Sequence, residues 1–110
     1  NGELTLGENL ADHGGLQVAY YALKNATKTQ ALPVIDGLTP EQRFFLAYAG
    51  VWAGNINEAE IRNRTKSDPH SLSRWRVNGA LPHIDMWYEA FGIKEGDKMF
   101  IPKSERLELW

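Results

Sequence analysis

Along residues 4–26, LTLGENLADHGGLQVAYYALKNA, the positions Leu6, Leu10, Gly14 and Val18 recur at helical spacing, with Tyr21 and Ala22 continuing the row. That period predicts an amphipathic helix. Thr5 and Glu8 have capping-box spacing, so the helix is expected to open there. Gly14 and Gly15 each cost about 1 kcal/mol against alanine in a helix interior. They predict a close backbone approach by a neighbour or a local irregularity. Residues 27–37, TKTQALPVIDG, read as a loop. The next helix has stronger signals: Thr39 suits the N-cap, Pro40 the first helical position and Gln42 the third. Phe44, Tyr48, Val51 and Trp52 then share a face, with Phe45 and Ala49 beside it, and form the expected core. Gly54 is the expected stop.

Asn57 and Glu60 repeat the capping-box spacing and predict a shorter helix. Residues 67–79 read as a loop around Asp68-Pro69, because the residue before proline is pushed out of helical space. Pro82 opens and Gly92 closes a last short helix, LPHIDMWYEAFG, and Gly96-Asp97 has turn chemistry. No repeat and no strand pattern stands out. The predicted class is mainly α.

With 110 residues the chain is the size of one domain, and 43% apolar with 11% aromatic residues place it away from disorder. The net charge of −2 argues against a nucleic-acid partner. Cysteine is absent, which excludes disulfides, thiolate metal sites and cysteine nucleophiles. No apolar run approaches the roughly 20 residues of a membrane span. A phosphate-cradling glycine loop and a Ser-His-Asp order are also missing from the sequence.

The candidate chemistry lies in two clusters. Glu8 and Asp12 are one helical turn apart and project together, where like charges repel unless something positive sits beside them. Helix capping and the macrodipole account for two acids near a helix start. That is the reading local physics favours, and a zinc ligand with an orienting carboxylate is the functional alternative. His13 lies about 100° around the helix from Asp12 and is poorly placed to join Glu8 on one ion. The second cluster, RNRTKSDPHSLSRWR at 62–76, is a solvated basic edge or holds an electrophilic pair, His70 and Arg76. Trp75 between Arg74 and Arg76 is positioned to hold both by stacking. His83 reads as a surface or core-edge histidine.

These segments, taken in order, resemble the C-terminal end of the catalytic domain in neprilysin-type zinc metallopeptidases, a group with the endothelin-converting enzymes and bacterial oligopeptidases. LTLGENLADHGGL resembles the family's E-N-x-A-D-x-G-G signature, and LTPEQRFFLAYAGVWAG the helix after it. SDPHSLSRWRVNGAL resembles the histidine-to-arginine loop, and Trp110 the usual last residue. The resemblance covers essentially the whole chain. It implies that residues 1–110 are the helical C-terminal portion of a gluzincin-type metallopeptidase catalytic domain.

The resemblance further implies a role for each matching residue. Glu8 matches the third zinc ligand. Asp12 matches the carboxylate that orients a zinc-binding histidine. His70 matches the stabiliser of the tetrahedral intermediate, and Arg76 the holder of the substrate backbone carbonyl. One zinc ion and peptide substrates are implied for the full-length enzyme. His13, His70 and His83 do not form an H-E-x-x-H, which is expected roughly 50 to 60 residues upstream by the resemblance. The 110 residues alone are therefore expected to bind zinc weakly and to be inactive. Their apolar first-helix face is expected to pack on the missing N-terminal part of the domain, and otherwise to drive self-association. The ending ERLELW, with Glu108 in place of the mammalian arginine and no cysteine, points to a bacterial-type member. That member is expected in the cell envelope or outside the cytoplasm, with the cytoplasm as the alternative. The competing reading is a free-standing helical interaction module without catalysis.

Overall fold

A computed structural model describes residues 1–109, and Trp110 lies outside the described residues. Five α-helices and two short 3-10 turns carry the fold: α1 (Gly2–Ala26), α2 (Pro40–Val51), α3 (Glu58–Ser67), α4 (Ser73–Asn78) and α5 (Asp85–Phe91), with turns at Leu81–His83 and Lys103–Glu105. No strand occurs among the described residues, so the mainly α class holds. None of these helices is long and apolar enough to cross a membrane.

The helix ends show which local signals prevail. α1 opens at Asn1, whose Oδ1 accepts from the amides of Glu3 and Leu4 at 3.1 and 3.4 Å. The expected box at Thr5 and Glu8 does not form. Thr5 is already inside the helix, and its hydroxyl donates to the Asn1 carbonyl at 3.3 Å. At α2 the box is complete: Gln42 N–H donates to Thr39 Oγ1 at 3.1 Å, and Thr39 N–H to Gln42 Oε1 at 2.9 Å. α2 stops at Val51, before Gly54, and Trp52 is its cap residue. At α3 only half the expected box forms. Asn57 Oδ1 accepts from Glu60 N–H, while the Glu60 carboxylate pairs with Arg64 at 2.9 Å.

Two elements differ from expectation. Residues 73–78, expected as loop, form α4, which has no side-chain cap at Leu72. The expected 81–92 helix is split, because Ile84 is extended (φ −99°, ψ 107°) between the Leu81–His83 turn and α5. Gly92 closes α5 in the left-handed region, φ 61°, as expected of a helix-ending glycine. The 27–37 loop ends in a two-residue turn. Asp36 and Gly37 both have positive φ, and Ile35 and Leu38 exchange backbone hydrogen bonds across them.

The core gathers Leu16 and Tyr20 of α1, Phe45 of α2, Ala80, Leu81 and Ile84 of the split turn, and Trp87 and Tyr88 of α5. Phe45, 1% exposed, sits at its centre, with the Tyr20 ring stacked at 5.6 Å and Phe44 edge-on at 5.1 Å. Gln42 Nε2 donates to the Ala90 carbonyl at 2.9 Å and ties α2 to α5. The C-terminal segment is strapped down by Arg106, whose guanidinium lies 3.5 Å from the Tyr88 ring centroid and pairs with Asp85 at 2.9 Å.

The buried face of α1 is not the expected stripe. His13, Gly14, Leu16, Gln17 and Tyr20 are buried, while Leu6, Val18 and Tyr21 are exposed. Val51, expected in the core, is 72% exposed. Gly14 and Gly15 produce no irregularity, since α1 runs through them unbroken. A Cβ on Gly15 would meet nothing within 4 Å. The radius of gyration, 15.5 Å, exceeds the roughly 13 Å of a compact chain this long.

Candidate functional site

The site is built where α1 passes the segment from Asp68 to Arg76. Glu8 and Asp12 occupy successive turns of α1 and face the same way, as their spacing predicts. Each meets a basic partner from the opposite segment. His70 Nε2 lies 3.4 Å from Glu8 Oε2. Arg76 Nε donates to Asp12 Oδ2 at 2.6 Å, and Arg76 Nη2 to Asp12 Oδ1 at 2.7 Å. All four residues singled out by sequence therefore converge, in two pairs side by side. Arg76 is the positive partner of Asp12, and the His70 imidazole stands opposite Glu8.

The pairs differ in burial, and so in strength. Arg76 and Asp12 keep only 13% and 12% of their side-chain surface exposed, and their fork is charge-assisted and bidentate. The fork also pushes the Arg76 guanidinium further up from its ordinary value. Glu8 and His70 are about half exposed, so their contact is open to solvent and to other ligands.

Local turn chemistry aims His70. Asp68, at the end of α3, accepts from the His70 backbone N–H at 2.9 Å and faces His70 Nδ1 at 2.7 Å. An ionised carboxylate only accepts, so His70 Nδ1 carries a proton toward Asp68, and Nε2, turned toward Glu8, donates there only when the ring is doubly protonated. The His70 backbone N–H, followed by its imidazole, holds the Asp68 carboxyl below its ordinary range. Sequence reasoning treated Asp68 only as a loop marker. The Asp-Pro-His spacing carries the signal, because an aspartate readily accepts from the amide two residues on.

Two further neighbours of Arg76 were expected only as core. The Trp52 ring centroid lies 4.0 Å from Arg76 Cζ, and Tyr48 Oη donates to the Arg76 carbonyl at 2.9 Å. Burial, then the Asp12 carboxylate, pushes the Tyr48 phenol up. Trp75 does not hold both arginines. Arg74 lies over it at 5.5 Å, whereas Arg76 turns to Trp52. The other basic residues of the cluster are solvated, and Arg62 and Arg64 pair with Glu58 and Glu60 along α3.

His13 and His83 form a separate pair behind the site. His13 is 3% exposed, and its ring lies edge-on to His83 at 5.9 Å. Its Nδ1 has no hydrogen-bond partner among the described residues. Burial, and then the neighbouring His83, pushes the His13 imidazole down, and burial does the same to His83. His83 Nδ1 accepts from the Leu107 N–H at 3.0 Å.

No group of three or more histidine, cysteine or acidic residues able to hold a metal occurs among the described residues. Glu8 fits one position of a zinc site: it is an accessible carboxylate whose side chain, among the described residues, meets only the long contact to His70. Ala11, Asp12, Gly15, Leu16 and Ala19 of α1 and Phe44, Ala47, Tyr48 and Val51 of α2 line an open, largely apolar hollow of about 390 Å³.

Comparison with known proteins gives a consistent picture. The family model described as Peptidase family M13 matches residues 1–107. Neprilysin-3 of Drosophila melanogaster is 35% identical over the whole chain, which corresponds to 14% of that protein. Human endothelin-converting enzyme 1 and human membrane metallo-endopeptidase-like 1 are each 40% identical over the whole chain and 14% of their own length. The Mycobacterium tuberculosis zinc metalloprotease Zmp1, solved in an open state and in complex with an inhibitor, superposes with a TM-score of 0.95 at 38% identity. That match covers 99% of this chain and 17% of Zmp1. The chain thus spans about a seventh of the length of the curated relatives it matches.

Proposed function

Because the chain belongs to peptidase family M13, we propose that residues 1–110 are the C-terminal, mainly helical part of a zinc endopeptidase catalytic domain that cleaves peptide bonds in oligopeptides. The observation that carries this reading is the double row on α1: Glu8 against His70, and Asp12 against Arg76.

Glu8 supplies one oxygen ligand to zinc, and the remaining protein ligands come from outside these residues. When bound, zinc supplies Lewis acidity that polarises the scissile carbonyl and acidifies water. Asp12 orients a zinc-binding histidine. Each Asp12 oxygen accepts one Arg76 N–H, and the carboxylate has lone pairs left for an imidazole N–H. His70, held by Asp68 at Nδ1, donates from Nε2, when the ring is doubly protonated, to the oxygen that gains charge as the carbonyl is attacked. Arg76 spends two of its five N–H groups on Asp12 and keeps three for a backbone carbonyl of the peptide.

The open face of Ala11, Gly15 and Ala19 with Val51 seats the rest of the same catalytic domain. Without a Cβ at Gly15 another backbone can come close there. In the chain alone this apolar face is left bare and favours self-association.

The test is zinc content and peptide hydrolysis in the full-length protein. Glu8→Ala is expected to lose both, since a zinc site that loses one of three protein ligands holds metal weakly. The 110-residue chain by itself is expected to hold no stoichiometric zinc and to cleave nothing. Full zinc in Glu8→Ala, or turnover by the short chain, would overturn the assignment.

A further inference from the structure

Arg76 is gripped at two points by one turn of α2. Tyr48 and Trp52 are four residues apart and share a face at the end of that helix. The Tyr48 hydroxyl holds the Arg76 backbone carbonyl at 2.9 Å, and the Trp52 ring covers the guanidinium at 4.0 Å. The Asp12 fork by itself leaves a freedom unrestrained. Two parallel N–H···O bonds fix the guanidinium edge, yet the plane can still swing about the line joining the two oxygens. An aromatic face against the plane opposes that swing. It also favours the cation electrostatically.

The grip matters because α4, which carries Arg76, is weak on its own. It has six residues and no side-chain cap, and a helix that short does not persist by propensity. α2 is firm by contrast, with a complete capping box at one end and the Gln42 bond to α5. The Trp52 backbone is set by that helix, its N–H donating to the Ala49 carbonyl at 3.1 Å.

We infer that Tyr48 and Trp52 are positioning residues for Arg76, orienting its free N–H groups toward the peptide substrate; this rests on the proposed role of Arg76. They act through the arginine and not by touching the substrate themselves. Trp52→Leu, which removes the ring face, is then expected to lower kcat/KM about tenfold, the scale of a desolvated cation–π contact. Trp52→Phe keeps a ring face and should recover most of that loss.

The experiment is a double-mutant cycle on the full-length zinc-loaded enzyme, with zinc content measured for every variant. Arg76→Met should lower kcat/KM by itself, and Trp52→Leu or Tyr48→Phe added to it should cost nothing more. If Trp52→Leu fails to fold, Trp52→Phe and Tyr48→Phe complete the cycle, each with a smaller loss that vanishes in the Arg76→Met background. Losses that persist undiminished in that background would place Trp52 on the substrate or in the scaffold, and would overturn the inference alone. An unchanged kcat/KM in Arg76→Met would overturn the reading of Arg76 and this inference with it.

Discussion

Arg76 and Asp12, 64 residues apart in sequence, meet through two hydrogen bonds of 2.6 and 2.7 Å with little of either side chain exposed. This contact joins α1 to α4.

Asp12→Ala leaves the Arg76 cation largely buried and without its partner. Removing one member of such a pair costs about 3 to 5 kcal/mol where the survivor stays buried. Asp12→Ala is therefore expected to lower the apparent melting temperature by several degrees. The double variant Asp12→Ala/Arg76→Met, with no stranded charge, should regain much of it. A single variant as stable as the parent would show that Arg76 escapes to solvent at little cost.

Asp68→Asn replaces an obligate acceptor beside His70 Nδ1 with a group that can also donate. The imidazole then loses its fixed tautomer and aim. By analogy with partners that orient ligand histidines, about a tenfold fall in full-length peptidase activity is expected, with zinc content unchanged. The lowered Asp68 pKa predicts that the native turn gains stability above the ordinary carboxylate range and loses it as pH falls through the folded value. The contact is thus complete at neutral pH.

His13 and His83 act in a higher pH range. Both are pushed below the ordinary value of about 6.5. The unfolded chain binds their protons more readily than the folded one, so stability is full above about pH 6.5 and falls as pH drops toward the folded values. Melting temperatures measured from pH 7.5 to 5 should decline, and less steeply in His13→Asn. Parallel profiles for the two proteins would remove the pair from this account.

Gly79 follows α4 at a close approach. A Cβ there would come within 2.6 Å of the Trp75 carbonyl oxygen, a backbone atom that cannot swing away. Gly79→Ala is expected to cost about 1 to 3 kcal/mol, the scale of an overpacked site. Because α4 carries Arg76, activity should fall alongside the melting temperature. Full activity with a lowered melt would separate the two.

α2 was legible from sequence because all its signals are local: Thr39, Pro40 and Gln42 lie within one turn and satisfy one another. α4 was not, since it has no cap and depends on Tyr48 and Asp12 for its place. The α1 stripe misled for a related reason. Leu6, Val18 and Tyr21 are apolar yet exposed, while His13 and Gln17 are buried, and only tertiary packing decides which side of such a helix meets the core. For the site, the spacing of Glu8 and Asp12 gave their common face. Which side chain stands opposite each is set by contacts more than 60 residues away in sequence and has no local signature.

The sequence distance between Asp12 and Arg76 also orders events during folding. Closing a loop of 64 residues costs chain entropy that no local hydrogen bond offsets. α1 and α2 can gain helix from their own residues, whereas the fork is expected to follow the meeting of Tyr20, Phe45 and the Leu81–Tyr88 stretch, which brings α4 up to α1. A nascent or partly folded chain is then helical without yet having Arg76 in place. Measured on refolding of a variant that keeps Trp52 alone of the four tryptophans, far-ultraviolet dichroism should recover ahead of the fluorescence change that reports the arginine's arrival.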